Sequence, residues 1–475
     1  MQASGHDLVV VGHGAAGLAA ALSAVESAPV ARIALLEATD EAHSGGGTRW
    51  SPSNMRLASV STLAPGFEAD MQVATGGRGD RAYFRCLADE APGAAAWVES
   101  HGVRFHSPGY YLSAGPPRIQ PVGAGAAIVE ALERAAKAAG VEFHYACRAE
   151  RLLRAPDGAM EGVAARLSDG TQREFRSPAV VLASGGFQGN PSMLREHFGP
   201  GGESLRPISP GSALNAGEGI RMALEAGARA SGDWDGMHSE PVDARSTASS
   251  AVVFVYPYGI VVDRDGRRFF DEGGGLVHET WERFSRAIHF DAPGRVVWAV
   301  LDARLFDIAG YERAIRSDFP PLRSDTLAGL ATLAGISPEG LERTVAAYNA
   351  ACNGDPARFD ATRADGLSAE TGLVPPKANW ARALDKPPFL AYPLAGAIAY
   401  TFGGVSTNVQ SEVLGESGPI AGLYAAGEMT GHFYVSAPNA IAVLRALVFG
   451  RIAGRNAVAR ALRMKSNQPQ AGQAR

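Results

Sequence analysis

The sequence predicts an α/β fold built on a buried parallel sheet, and three stretches carry that prediction. The first is Leu8 to Val11, an apolar run without polar alternation, which reads as a strand covered on both faces. The second is the turn Gly12-His13-Gly14-Ala15-Ala16-Gly17, which opens an Ala/Leu-rich helix reaching Ala24. The third is another apolar strand, Ala31 to Leu36, ended by Glu37. Together they make a βαβ nucleotide fingerprint. Gly12 permits the tight turn, Gly14 lets backbone approach a pyrophosphate, and Gly17 lets helix and strand pack closely. The helix start at Ala15 and Ala16 offers N–H groups and a partial positive charge to that phosphate. Glu37, followed by Ala38, lies roughly 20 residues past Gly17, where an acidic side chain can bind a ribose hydroxyl pair.

At 475 residues the chain exceeds one ordinary core, which predicts two domains. A formal net charge of -5 without a long basic run argues against a nucleic-acid partner. The three cysteines, Cys86, Cys147 and Cys352, are too scattered for a CxxC pair or a zinc cluster, and suit a reducing compartment. Leu8 to Ala24 is apolar but follows Asp7 rather than a basic leader segment, and no run approaches ~20 uninterrupted apolar residues. A cytoplasmic chain without a membrane span is expected, with a polar disordered tail over 464–475.

Further along, Ser44-Gly45-Gly46-Gly47-Thr48-Arg49 reads as a loop whose backbone can lie against a ligand next to Glu37. Asp80 to Val103 and Ala124 to Ala139 have helical spacing. Phe143 to Arg154, with Cys147 near its start, reads as a strand entering a hairpin layer that continues at Met160. Ser107 to Leu112 reads as a turn and short strand. The strand Pro178 to Ala183 runs into Ser184-Gly185-Gly186, and Asn215-Ala-Gly-Glu218-Gly starts a helix where backbone can again meet a ligand. From about Trp234 the character changes. Val252 to Val262 and Val296 to Leu301 read as strands, and 303–316 and 325–354 as helices. Ligand-binding sequence returns at Ala397 to Asn408 and at Gly422-Leu-Tyr-Ala-Ala-Gly427-Glu428, before a last helix over 440–462.

The fingerprint, Ala183-Ser-Gly-Gly-Phe, Asn215-Ala-Gly-Glu-Gly-Ile-Arg-Met-Ala, Gly266-Arg-Arg-Phe-Phe-Asp-Glu and Gly422-Leu-Tyr-Ala-Ala-Gly-Glu occur in the order found in one family. They resemble the FAD-dependent flavoproteins of the fumarate reductase/succinate dehydrogenase type. Phe402-Gly-Gly-Val-Ser-Thr-Asn and Gly427 to Gly454 are most similar to tricarballylate dehydrogenases within it. The resemblance implies a Rossmann-like, GR2-type FAD-binding domain with an inserted α+β capping domain. Its segments would be 1–236 and 396–463 for FAD, and 237–395 for the cap. It also implies that Glu428 faces the flavin's sugar side and that Asn439, Ala440 and Ile441 lie near its pyrimidine edge. The flavin is expected to be non-covalent, because the spacing of His43 to the glycines differs from that of covalent members. A small-molecule substrate and a separate electron acceptor, such as an iron–sulfur partner chain, are the implied partners.

The chain departs from the fumarate reductases at the substrate. Their pre-proline His is Glu240 here, in Met237-His238-Ser-Glu240-Pro241. Gly-Gly-Gly-Leu follows Glu272 without an Arg, Tyr400 replaces the His before Thr-x-Gly-Gly, and Asn439 is not followed by Arg-Leu. These losses disfavour fumarate and weaken the case for a small tricarboxylate, which needs charge-assisted clamps. Gly431-His432-Phe433-Tyr434 is also similar to 3-ketosteroid dehydrogenases. The expected reaction is therefore α,β-dehydrogenation, or its reverse, beside a carboxylate or ketone. Tyr434 or His432 would polarise the carbonyl, Tyr400 or Glu240 would move the α-proton, and His238 would stand at the cap entrance. Alternatives are oxidation of a larger apolar ketone, or a flavin electron-transfer subunit. An Arg- or Lys-lined pocket favours an acid, and an apolar aromatic slot a ketone.

Overall fold

The computed structural model describes residues 5–109, 112, 115–369 and 372–466. Tyr110 and Tyr111 of the expected turn and most of the expected tail lie outside the described residues. The central sheet runs, edge to edge, Glu412–Gly415, Gly418–Ala425, Val180–Leu182, Leu8–Val11, Ile33–Leu36 and Glu142–His144. All neighbouring pairs are parallel except the first. Leu8 and Val10 face one apolar core and Val9 and Val11 another, which is why this strand shows no alternation. The helix Ala15–Ser27 crosses one face and is itself crossed by the closing helix Ala442–Ser466. A Cβ on Gly450 or Gly454 would lie 2.4 Å from Ala16 O or 2.0 Å from Ala20 O, so the two backbones meet with no room for a side chain.

On the opposite face sits a three-stranded layer, Gln172–Arg176, Met160–Leu167 and Cys147–Arg154. The stretch 143–154 is thus not one strand. Ala146 adopts φ 49°, and that break sends Glu142–His144 into the parallel sheet and Cys147–Arg154 into the layer above. The triple-glycine stretch also differs from the expected loop. Gly46–Trp50 forms a short helix, after Gly45 turns at φ 108°.

A second sheet lies beyond Trp234. Its spine, Phe389–Thr401, pairs with Arg206–Pro207, Met237–Asp243, Val297–Leu301 and Leu322–Ser324, and Val297–Leu301 in turn with Ile260–Val262. This spine is continuous across 395/396, where a domain boundary was expected, so one strand leads from the second sheet to the cofactor cleft. Val252 to Val262 is a strand only at Ile260–Val262, because Tyr256–Tyr258 form a helical turn around Pro257. The 303–316 segment is two 3-10 turns. The 325–354 segment is two helices, Leu327–Ala334 and Pro338–Ala351, separated by left-handed Gly335 and capped anew by Ser337. Arg268, Glu272 and Lys377 form a buried cluster here, with Lys377 Nζ donating to Pro257 O and Gly259 O at 2.7 Å. Among the described residues, no helix is long and apolar enough to cross a membrane.

Candidate active site

A cleft with about 2020 Å³ of space free of protein atoms, part of it open to solvent, runs along the carboxyl ends of the first strands to the second sheet. Gly12 turns at φ 110°, and its missing Cβ would meet Ala183 O at 2.3 Å. Gly17 is needed for a different contact, since its Cβ would fall 1.8 Å from Gly12 O. Gly14 and Gly47 are unlike both. A Cβ on Gly14 would meet nothing closer than 3.6 Å, and one on Gly47 nothing within 4 Å. The fold does not require glycine there, so the open space they border fits a ligand lying against the backbone.

The helix beginning at Ala15 has no side-chain cap on Gly14 and no acidic residue in its first turn, and Thr48 Oγ1 accepts from Ala15 N at 3.1 Å. Glu37 takes the N–H of His13 at 3.1 Å and both the N–H and hydroxyl of Thr39 at 2.9 and 2.8 Å. Gly46, Ala16, Ala38, Ala183, Gly185, Asn215, Glu218, Gly427, Asn439, Ala440 and Ile441 also line the cleft. Burial pushes the Cys147 thiol, on the same wall, up to about 11, which leaves it an inert wall residue at neutral pH. Glu218 pairs with Arg148. Glu428 accepts from Asn215 Nδ2 at 3.1 Å, Thr401 N at 3.1 Å and Gln188 Nε2 at 3.4 Å, and burial raises its carboxyl to about 7. Ala440, at φ 60°, turns the chain before the closing helix, which begins two residues later than expected. His43, at the cleft rim, has Nδ1 2.7 Å from Asp40.

Gly17, Ser44 and Gly45 are not among the lining residues. Ser44 is buried, donates to Glu41 O and accepts Arg49 Nε, so it shapes the loop from behind.

At the other end of the cleft the antiparallel register sets His238 opposite Tyr400, and the rings stack at 4.8 Å and 23°. His238 Nε2 lies 3.4 Å from Glu240, and Nδ1 pairs with Glu282 from the helix Val277–Phe290. Burial alone would lower the imidazole, but Glu282 and Glu240 outweigh it and raise it to about 10. His238 is therefore a cation at neutral pH. Burial first, and then the charge of Glu282, push the Tyr400 hydroxyl well above its ordinary value, so it stays protonated.

His432 and Tyr434 do not reach this cleft. His432 is buried behind it, stacked on Tyr83 at 3.6 Å with Nε2 2.8 Å from Thr407 Oγ1, and burial lowers it to about 3. Tyr434 has Gly232 N donating to its hydroxyl at 3.3 Å and Arg78 over its ring at 4.5 Å. Neither lines the cleft, and Phe433 between them lies under the Arg445 guanidinium at 4.0 Å.

Cations at positions other than the family's do line the cleft. Arg118, Arg316 and Arg445 line the cleft, from a loop, from the second sheet's side and from the closing helix. Sequence reading missed them because none occupies the family's positions. Arg445 alone left a signal: a cation inside the apolar run Val443-Leu444-Arg445-Ala446-Leu447 must have a buried acceptor, here Thr430 O at 3.1 Å. Glu282 left no such signal, because its partner lies 44 residues away on another element.

The family profile described as "FAD binding domain" matches residues 7–439. A probable fumarate reductase of Shewanella frigidimarina is 28% identical, over 96% of this chain and 75% of the relative. The open conformation of a flavocytochrome c3 fumarate reductase superposes with a TM-score of 0.77 and 27% identity, covering 96% of this chain and 78% of that one. A 3-ketosteroid-Δ4-(5α)-dehydrogenase from Rhodococcus jostii RHA1 shares the fold, with a TM-score of 0.70 at 24% identity over 95% and 96% of the two chains. The glycine cradle and these likenesses agree: the chain belongs to the FAD-binding family of the fumarate reductase/succinate dehydrogenase flavoprotein type, and is an FAD-dependent oxidoreductase.

Proposed function

We propose that this enzyme oxidises or reduces a C–C bond α,β to a carboxylate. One observation carries the reading: Arg118 and Arg316 line the same cleft as the cationic His238 and the protonated Tyr400. Bound FAD would supply the hydride acceptor or donor. Arg118 and Arg316 hold the substrate carboxylate by charge-assisted hydrogen bonds. In the reducing direction Tyr400 donates its proton to the carbon beside the carboxylate, and His238, fixed between Glu240 and Glu282, steadies the negative charge that builds there. Oxidation is the reverse, starting from the tyrosinate that the His238 cation helps to hold. Gly12, Gly14, the start of the Ala15 helix, Glu37 and Gly47 would hold the cofactor's nucleotide half, non-covalently. A separate electron carrier would complete the cycle. Tricarballylate-like di- and triacids fit the number of cations, although the adjoining Glu240 restricts where a second carboxylate can sit.

Anaerobic mixing of the yellow holoenzyme with succinate-like acids, tricarballylate and cyclic ketones tests this. Flavin bleaching is expected with an acid. Arg118→Met or Arg316→Met should weaken half-saturation by the equivalent of about 1.5–3 kcal/mol each, with dithionite reduction unchanged. Bleaching by ketones alone would overturn the carboxylate reading in favour of ketone oxidation.

A further inference from the structure

Among the described residues, one cluster of His, Cys and carboxylate side chains has its ligand atoms converging within 4.8 Å of one another: His6, Glu142 and His144. None of the three lines the cofactor cleft. We propose that they form a site for a divalent cation of the zinc class.

The strands explain the convergence. Glu142 and His144 are two residues apart on the edge strand Glu142–His144, so their side chains leave on the same face. His6 precedes the strand Leu8–Val11, two strands away across the sheet, and reaches the same face. His6 Nε2 lies 3.1 Å from Glu142 Oε2, and His144 Nε2 lies 4.0 Å from the same oxygen. His144 Nε2 is buried and has no hydrogen-bond partner. A buried ring nitrogen left in that state is costly unless something else binds it. Arg32 Nη2 holds the other oxygen, Oε1, at 3.3 Å. That contact leaves Oε2 facing the two imidazoles and orients the carboxylate as an outer-shell partner does. Phe175 walls the site, 4.8 Å from the His144 ring in an edge-to-face contact and 6.1 Å from His6.

Two imidazole nitrogens and one carboxylate oxygen suit zinc, cobalt or nickel rather than magnesium or calcium, which prefer oxygen ligands. Small rotations of the three side chains bring the ligand atoms to about 2.0–2.2 Å from a shared ion, and water completes a tetrahedron. The bound ion would pin the segment before the first strand to the sheet edge. Its effect is on stability and not on the flavin reaction.

The FAD-loaded full-length protein, stripped with a chelator, is titrated with zinc against a chromophoric competitor, and its melting temperature is followed. One equivalent should bind and raise the melting temperature. Glu142→Gln and His144→Gln should each weaken binding by about tenfold or more, while His106→Gln, at an exposed histidine, should not. Cobalt should give visible ligand-field bands that His144→Gln removes, which separates loss of the site from loss of the fold. Zinc binding unchanged in both site variants, or no binding at millimolar zinc, overturns the proposal. Magnesium displacing zinc would also overturn it.

Discussion

His238 carries the pH dependence of the substrate end of the cleft. Its imidazolium exists because Glu282 and Glu240 outweigh the burial that would otherwise discharge it, and its pKa stands at about 10 against an ordinary 6.5. A group raised on folding stabilises the native state fully below its unfolded value, and that contribution is lost as pH rises from about 6.5 through about 10. His432 works with the opposite sign. It is held near 3, so the unfolded chain binds the extra proton and stability is lost as pH falls from about 6.5 toward 3. On the proposed carboxylate reading, activity should fall as pH approaches 10, and Glu282→Gln should move that fall to lower pH. Stopped-flow bleaching across pH measures it, and a profile unmoved by Glu282→Gln would rule out His238 as the titrating cation. From the sequence, His238 and Tyr400 were visible as candidates. Their stacking was not, since it depends on a strand register set by residues 237–243 meeting 394–401.

The glycines divide by what their missing Cβ would touch. Gly17→Ala puts a methyl group into Gly12 O and should cost about 1–3 kcal/mol of stability, read from thermal or urea unfolding. Gly47→Ala meets no atom within 4 Å beyond its own helical turn. It should leave the unfolding midpoint of the FAD-free protein nearly unchanged while weakening FAD binding, measured by flavin fluorescence. If Gly47→Ala binds FAD as tightly as the parent, the cofactor does not lie against that turn. The pattern Gly-x-Gly-x-x-Gly already assigns the turn to Gly12, the phosphate approach to Gly14 and close packing to Gly17. The structure adds what each missing Cβ would touch: Ala183 O for Gly12, open cleft for Gly14 and Gly12 O for Gly17. The split at Ala146 follows the same logic. Its flanks both favour strand, and the left-handed residue between them decides that they belong to different sheets.

Across the whole molecule, the first and last segments are joined by contacts that leave no slack. The strand Gly418–Ala425 lies beside Val180–Leu182, and the closing helix rests on the first through Gly450 and Gly454. Gly454→Leu should destabilise the entire sheet by about 3 kcal/mol or more and release FAD with it, because its side chain must displace the Ala20 backbone. Loss of stability without loss of FAD would show that the two helices do not share one cooperative unit. The sequence by itself determined the nucleotide-binding fold, because it depends on local rules: apolar runs buried on two faces, glycines at a turn, an acid at a strand end. FAD as the nucleotide came from the order of motifs shared with the family. The charged groups at the other end of the cleft were brought together by tertiary structure alone. Arg118, Arg316, Arg445 and the pair Glu240 and Glu282 come from separate elements, and their charges act through space across distances that no sequence spacing records.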